Sequence, residues 1–567
     1  LGQSAADKQA GYIVVVYRIF LKVPADRPLR PGRTYTLSID PAVLPGAAGL
    51  PPISSLSAAY SGADAKELIH ANQEAWPPVG PKVAYLSAWL GVDGIGNRGW
   101  IDFPGELPAW DGSFSLVGET GDSPVFTARI DRSKNGAEDY YAGSETWLLD
   151  FSAFTTPGRY RLRVPGVGYS HPFSVGAEGF DFVVHTVMRG MMQLRDGDHG
   201  LDAREVTRWN RPPAHLDDAI EESTGAQIDL EGGHMDAGDR EKIPLNMALA
   251  SSYYLVASRL FPDRVKALGE TLQIPESGNG IPDYLDELFY ELDSLYKMVA
   301  NTHGDGAMTA WIKPAKGNFE KGLPLEGATG RLWSDGRYGR LKSATLAVAG
   351  ALAMAATDPL VKAYSVAPHP DRAAAYLRAA ELAWSAYSTH EYDNSYWYDD
   401  SALNAGAWRL GKHPYSSELI FAAANLLEAT GRPTFLDHLQ AEWPAGPLDL
   451  VLYKSDPFGL PLQDYLSVAL GTQGSLPAAM KRQAREWITQ VTDAMDALPR
   501  GGPVYGIVFQ GAVEGAVGWF FSGVRTGFPN LVAWGLTGDL KYRDRLVACW
   551  NYLLGANPLS LSHISGL

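Results

Sequence analysis

The chain changes rhythm once. From about Gly11 to Gly176, apolar and polar positions alternate with period two between Pro and Gly turns; from Phe180 onward they repeat at helical spacing. Gly11–Tyr17 is β-branched and aromatic, and Arg33–Ile39 alternates after the turn Arg30-Pro31-Gly32. Lys82–Trp89, Phe114–Val117, Val125–Ile130, Trp147–Phe151 and Tyr160–Val164 continue the series, with punctuators such as Pro157-Gly158 between them. So many short strands with regular turns predict one or two β-sandwich units.

After Phe180, the spacing of Phe182, Val183, Val187, Met191 and Leu194 predicts a first helix. Further helices are predicted over 244–260, 283–299, 341–356, 371–388, 415–429, 477–498, 528–536 and 540–554. The clearest is 283–299, where Pro282 and Asp283 suit the first turn and Tyr284, Leu285, Leu288, Leu292, Leu295 and Tyr296 form one stripe. Amphipathic helices joined by long loops fit a solenoid, a bundle or a closed ring of hairpins, and periodicity does not choose among them. A fixed-period repeat of the solenoid kind is absent from the sequence.

At 567 residues the chain exceeds what one core usually supports, and its 46% hydrophobic content supplies material for several. A net charge of −16 disfavours nucleic acid and anionic membrane surfaces as partners and leaves a neutral polymer as the easier one. The single cysteine, Cys549, excludes an intrachain disulfide framework and reads as a buried thiol. Ala344–Ala356 is too short an apolar run to span a bilayer, so the expectation is a soluble protein. The chain contains neither a Gly-x-Ser-x-Gly elbow, a phosphate-cradling Gly-x-x-x-x-Gly-Lys-Ser/Thr loop nor a Cys-x-x-Cys pair, which removes esterase, nucleotide and zinc-finger readings.

The densest candidate chemistry lies in 232–241, Gly-Gly-His-Met-Asp-Ala-Gly-Asp-Arg-Glu. Asp236 and Asp239 sit three positions apart among glycines that permit backbone angles closed to other residues, so both carboxylates can approach one water. A second negative group raises the basicity of the first and helps to orient the nucleophile. The competing reading is a helix N-terminus, where Asp caps orphan amides. His234, Asp236, Asp239 and Glu241 match neither an EF-hand loop nor a helical zinc pair in spacing, so no metal is assigned here.

These residues resemble the Gly-Gly-aromatic-x-Asp-Ala-Gly-Asp motif of glycoside hydrolase family nine, the inverting cellulase family. The segment 274–287, Ile-Pro-Glu-Ser-Gly-Asn-Gly-Ile-Pro-Asp-Tyr-Leu-Asp-Glu, is similar to the family's approach to its next helix; Glu418-Leu419 through Gly431 and the Asn-Pro segment 552–566 extend the resemblance over 178–567. His70–Trp89 and Pro157–Leu162 resemble the immunoglobulin-like module that precedes the catalytic domain in many members. The resemblance implies an all-β immunoglobulin-like sandwich followed by an all-α (α/α)6 barrel. Expected boundaries are 1–72 (a small β domain or the first strands of the sandwich), 73–177 (the sandwich) and 178–567 (the catalytic barrel). It also implies cleavage of β-1,4-glucan, cellulose-like or mixed-linkage, by a secreted or periplasmic endoglucanase that is a monomer and needs no cofactor.

Carried over by position, Asp239 is the general base and Asp236 its partner in holding the water. The general-acid Glu is expected beyond Leu567. Substrate contacts are expected from His234 and Arg240, which stand where the family often has aromatic residues, and from Trp333, Trp408, Trp519 and His563. Trp311 and Trp397 also fall in or beside predicted loops, where an indole can stack on a sugar face or simply pack. For Asn557 and His563, in the Asn-Pro segment, closure of a loop is the favoured alternative to contact with the sugar. Glu514, among apolar neighbours, is the in-chain alternative acid. Structural calcium is a further implication, with Glu276, Asp283, Asp286, Glu287 and Glu418 as acidic positions in the matched segments, each equally suited to capping. A polysaccharide lyase of helical-toroid type and a non-catalytic carbohydrate-binding homologue are the alternative functions.

Overall fold

The computed structural model describes residues 29–38, 55–61, 66–87, 111–130, 137–138, 145–198, 213–236, 240–301, 305–314, 331–333, 339–366, 368–398, 415–444, 446, 462–496, 505 and 524–564. The expected strand Gly11–Tyr17, together with Trp408, Glu514, Trp519 and Asp239, lies outside them.

Strands β1 (Arg33–Leu37) and β2 (Leu56–Tyr60) pair antiparallel as a sheet of their own. Next come β3 (Ile69–His70), β4 (Ala75–Trp76), β5 (Val83–Ser87), β6 (Ser113–Gly118), β7 (Pro124–Arg129), β8 (Ala137–Glu138), β9 (Glu145–Asp150), β10 (Gly158–Val164), β11 (Gly168–Tyr169) and β12 (Phe173–Val175). They form two sheets, ordered β3-β5-β9-β8 and β4-β12-β10-β6-β7, with β11 on the edge of β10. Alternation explains the layering, because successive side chains of a strand face opposite sides. Ala84 and Leu86 of β5 and Trp147 and Leu149 of β9 meet Phe114, Leu116, Leu162, Val164 and Phe173 from the other sheet in one buried core. Trp76 lies edge-on to Phe151 and Phe173 in its middle. The pairing of β3 with β5 brings Ile69 and His70 into this sandwich.

The outward residues of β5 serve a second purpose. Tyr85 packs with Tyr505, Tyr552 and Ala556, and Ser87 Oγ lies 2.7 Å from the Tyr505 hydroxyl. Around this patch, Asn72 Nδ2 donates to Asn551 Oδ1 at 2.9 Å, His70 Nδ1 lies 2.6 Å from Ser560 Oγ, and Gln73 donates to the Ser560 carbonyl. The sandwich is thus sewn to the C-terminal part of the helical region through buried polar groups.

The helical region begins with α1 (Glu178–Met192) and continues through α2 (Pro244–Leu260), α3 (Pro262–Leu268), α4 (Asp283–Asn301), α5 (Lys342–Thr357), α6 (Pro359–Ala363) and α7 (Arg372–His390). It goes on with α8 (Ser416–Thr430), α9 (Pro433–Glu442), α10 (Leu462–Leu470), α11 (Ala478–Asp496), α12 (Val524–Thr537) and α13 (Leu540–Leu553). All eight predicted spans from 244 onward coincide with helices to within a few residues. Four short helices, α3, α6, α9 and α10, were not predicted. Alanine-rich α5 is buried along its whole length and packs against α2, α7 and α8. Contacts then run from α8 to α10, α11 and α12, and α12 returns to α2, so the path closes on itself. One apolar core joins all these helices.

Between α1 and α5 the chain also forms a three-stranded sheet of short segments, β13 (Ile220–Glu221), β15 (Arg331–Trp333) and β14 (Ile312–Pro314). No helix among the described residues is long and apolar enough to cross a membrane.

Candidate active site

The segment preceding α2 is held along its length. Gly233 takes a positive φ of 76°, and a Cβ there would come within 2.6 Å of Met247 Cε and 2.7 Å of Ser294 Oγ, so only glycine lets the backbone lie this close to α4. The Gly233 carbonyl accepts from Asp196 N, and Met235 N donates to the Leu194 carbonyl. Asp236 N donates to the Glu241 carbonyl at 2.8 Å. Helix α2 starts only at Pro244, with Ile243 as its N-cap and no side-chain cap, so neither aspartate stands at the capping position. Half-buried Asp236 accepts from Asn246 Nδ2 at 3.3 Å, a contact from the first turn of α2.

His234 points at α4. It is buried, with Nδ1 2.9 Å from Glu291 Oε2 and Nε2 3.1 Å from Glu287 Oε2, both carboxylates coming from successive turns of α4. Burial opposes its charge, but Glu291 and Glu287 outweigh that and raise its pKa to about 9, so it is an imidazolium at neutral pH. Burial likewise opposes ionisation of Glu287, yet His234 and Arg195 hold it below the usual carboxylate range. Arg195 lies 3.0 Å from both Glu287 and Glu276 and stacks over the Tyr290 ring at 4.3 Å. The chain thus places a cation among carboxylates of α4.

A second charged cluster lies beneath the loop. Asp196, Asp218, Lys242 and Arg331 have fully buried side chains and are mutually paired. Lys242 Nζ is 2.7 Å from Asp218, Arg331 Nε donates to Asp218 at 2.8 Å, and Arg331 Nη2 bonds both aspartates. His215 Nδ1 lies 2.7 Å from Asp196. Burial works against ionised Asp196, but Arg331, Lys242 and His215 hold it far below its ordinary value. The sequence reading found none of these residues. Their signal is a scatter of single charges up to 135 positions apart, with no local pattern.

The other expected substrate contacts fall in different places. Trp333 is only 2% exposed, at the end of β15, where it pairs with Glu221 and Ile312 and belongs to the helical core. Trp397 is also buried and donates its Nε1 to the His390 carbonyl, and Trp311 packs against the same core. Arg240 has φ 59°, and its carbonyl accepts from Arg331 Nη1 at 2.7 Å. Exposed His563 stacks on Tyr552, with centroids 5.8 Å apart, and its amide donates to Leu553 O. Asn557 closes its own loop through bonds to Tyr552, Leu559 and Leu561.

Four of the acidic positions considered for calcium have partners within the chain. Glu276 and Glu287 are spent on Arg195, Asp283 accepts from Leu272 N and Ser277, and Asp286 accepts from Asn279. Burial pushes Asp286 up to about 7, so it is a poor hard-anion ligand at neutral pH. Among the described residues no group of three or more His, Cys, Asp or Glu is placed to hold a metal.

What the arrangement offers is a half-buried carboxylate, Asp236, in a segment held on both sides by buried ionic clusters; Asp239, three residues on, lies outside the described residues. The model for "Glycosyl hydrolase family 9" matches residues 180–567, and that for "Cellulase N-terminal ig-like domain" matches 64–169. Endoglucanase D of Acetivibrio thermocellus is 32% identical over 176 residues, covering 30% of this chain and 27% of the relative. The cellulose 1,4-beta-cellobiosidase of the same organism is 25% identical over 471 residues, 74% of this chain and 51% of its own. The chain therefore spans about a quarter to about half of these relatives' length. A solved family 9 structure from Bacteroides ovatus superposes with a TM-score of 0.68 at 19% identity, covering 88% of this chain and 86% of that one. A metagenome-derived family 9 endoglucanase gives 0.64 at 24% identity, covering 88% and 85%. By a match that takes in more than half its length, the chain belongs to glycosyl hydrolase family 9, with an immunoglobulin-like domain of cellulase type before the family 9 region.

Proposed function

We propose that this chain carries the catalytic domain of an inverting glycoside hydrolase that cleaves β-1,4-glucan, cellulose-like or mixed-linkage, as an endoglucanase. The observation that carries this reading is the family match over 180–567, which includes the Asp236–Asp239 turn. Relatives named endoglucanase and cellobiosidase support the substrate class. The closed path of helix contacts through α2, α5, α8, α10, α11 and α12 supports an (α/α)6 barrel, and the turn opens α2 at one end of it.

In this reading Asp239 removes a proton from water that Asp236 helps to hold, and the water attacks the anomeric carbon from the face opposite the leaving group. A carboxylic acid on the other side protonates the glycosidic oxygen, with base and acid about 6.5–9.5 Å apart to leave room for the water. Arg240 follows the base in the chain and is assigned to the substrate's polar groups; Trp408 and Trp519 are the aromatic candidates for stacking, and exposed His563 lies on the Asn-Pro loop. A polymeric glucan places the enzyme outside the cytoplasmic membrane, and the reaction asks for no cofactor.

The test is reducing-sugar release from barley β-glucan, xylan and chitosan by the full-length protein, with proton NMR of the first product formed. Hydrolysis of β-glucan to the α-anomer is expected, and Asp239→Ala is expected to lose nearly all turnover while still binding cello-oligosaccharide. Full activity in Asp239→Ala, or a β-anomeric first product, overturns the assignment.

A further inference from the structure

We propose that Lys242 and Arg331 are positioning residues that pin the main chain on either side of the Asp236–Asp239 segment through its carbonyls; the inference rests on the hydrolase reading above. Lys242 Nζ donates to the Leu230 carbonyl at 2.7 Å and to the Gly232 carbonyl at 3.0 Å. Arg331 Nη1 donates to the Arg240 carbonyl at 2.7 Å. Gly232 stands before the first aspartate and Arg240 directly after the second, and both have positive φ, 99° and 59°. Gly232 and Arg240 thus each take a positive φ where their carbonyls meet a buried cation, while the Leu230 carbonyl gives Lys242 a second acceptor.

The cations are in turn fixed by Asp196 and Asp218, so each is held from two sides with no side-chain exposure. Ion pairs buried this deeply gain little over apolar packing of the same volume, because desolvation consumes most of their attraction. Their advantage is geometric: a guanidinium fork and an ammonium set directions that methyl groups cannot. The two clamps reach the turn from separate parts of the chain, Lys242 from the lead into α2 and Arg331 from β15. Main-chain carbonyls are present whatever the side chains of the turn, so the clamps act on the position of the acidic pair and not on its charge alone.

The experiment compares wild type with Arg331→Lys, Arg331→Met and Lys242→Met in the full-length protein, on soluble β-glucan and cellopentaose. A misplacement of about 1 Å costs on the order of 100-fold in turnover. The expected result is therefore a kcat fall of about that size with KM changed less than about threefold, in variants that keep wild-type circular dichroism. Arg331→Lys keeps the charge but loses the fork, and is expected to fall nearly as far as Arg331→Met. Amide exchange in peptides covering 230–241 is expected to speed up at least about tenfold, with the rest of the helical region unchanged; that size corresponds to loss of one main-chain bond. A folded variant that keeps kcat within threefold and unchanged exchange overturns the proposal. If Lys242→Met does not fold, the Arg331 pair decides alone. Should wild type release no sugar from any β-glucan, the hydrolase reading falls, while the exchange result still decides whether the clamps hold the turn.

Discussion

Replacing His234 by Gln tests the buried imidazolium. His234 is 7% exposed and its pKa is raised from the ordinary 6.5 to about 9, so solvent screening takes little from the interaction. A raised folded-state value means that the fold binds the protonated form more tightly than the unfolded chain does. The resulting stability is whole below about pH 6.5, drains away as the pH rises, and is gone above about pH 9. At about 1.4 kcal/mol per unit, a difference of some 2.5 units is worth about 3 kcal/mol. Spread over the roughly 390 residues of 180–567, with an unfolding entropy of about 2.1 cal/mol/K per residue, that is about 4 °C in melting temperature. The assay is differential scanning calorimetry of wild type and His234→Gln at half-unit steps from pH 6 to 9.5. Subtracting the two curves removes the titrations of groups that His234 does not touch. The gap is expected to be widest near pH 6 and to narrow by about 4 °C toward pH 9.5. A gap that stays constant across the range, or widens with pH, refutes the ionic account of His234.

Two further outcomes follow from the geometry. Gly233→Ala forces a Cβ into Met247 and Ser294 at an αL position, and should cost about 2–4 kcal/mol, read as a fall in urea midpoint; a variant as stable as wild type would show that the segment can shift off α4. Asn72→Ala removes bonds to the Ala75 carbonyl, Asn551 and two main-chain amides, with an expected loss of about 3 kcal/mol. In a double-mutant cycle the Asn551→Ala partner should recover part of that loss, whereas strict additivity would show that the two amides do not act together.

The long helices and most sandwich strands were legible because each carries its burial pattern locally. The stripe of Leu285, Leu288, Leu292 and Leu295 is sufficient to specify α4, and the Ala run of α5 announces a helix surrounded on all sides. The short helices α6 and α9 begin at prolines that read as breaks, and α6 is too short to carry such a stripe. The small sheet escaped for a different reason: Ile220–Glu221 pairs with Leu332–Trp333 more than a hundred residues away, and two-residue strands have no period to detect.

At the site, the acidic turn could be recognised from its own letters, but the surroundings of its neighbours could not. His234 looked like a substrate contact because its partners Glu287 and Glu291 stand more than fifty positions downstream. Trp333 seemed to sit in a loop until β13 and β14 enclosed it from both sides. Lys242 is one lysine among many in the sequence, and only the convergence of Asp196, Asp218 and two carbonyls separates it from the rest.

Strand β5 answers to two masters: its even-numbered side chains Ala84 and Leu86 complete one interior while odd-numbered Tyr85 and Ser87 complete another. Inserting or deleting one residue between Val83 and Ser87 would therefore swap the two sets and spoil both interiors together. Length in this stretch is frozen by parity, and any graft of a foreign immunoglobulin-like module onto the helical region must reproduce that odd-even code before its sequence identity matters.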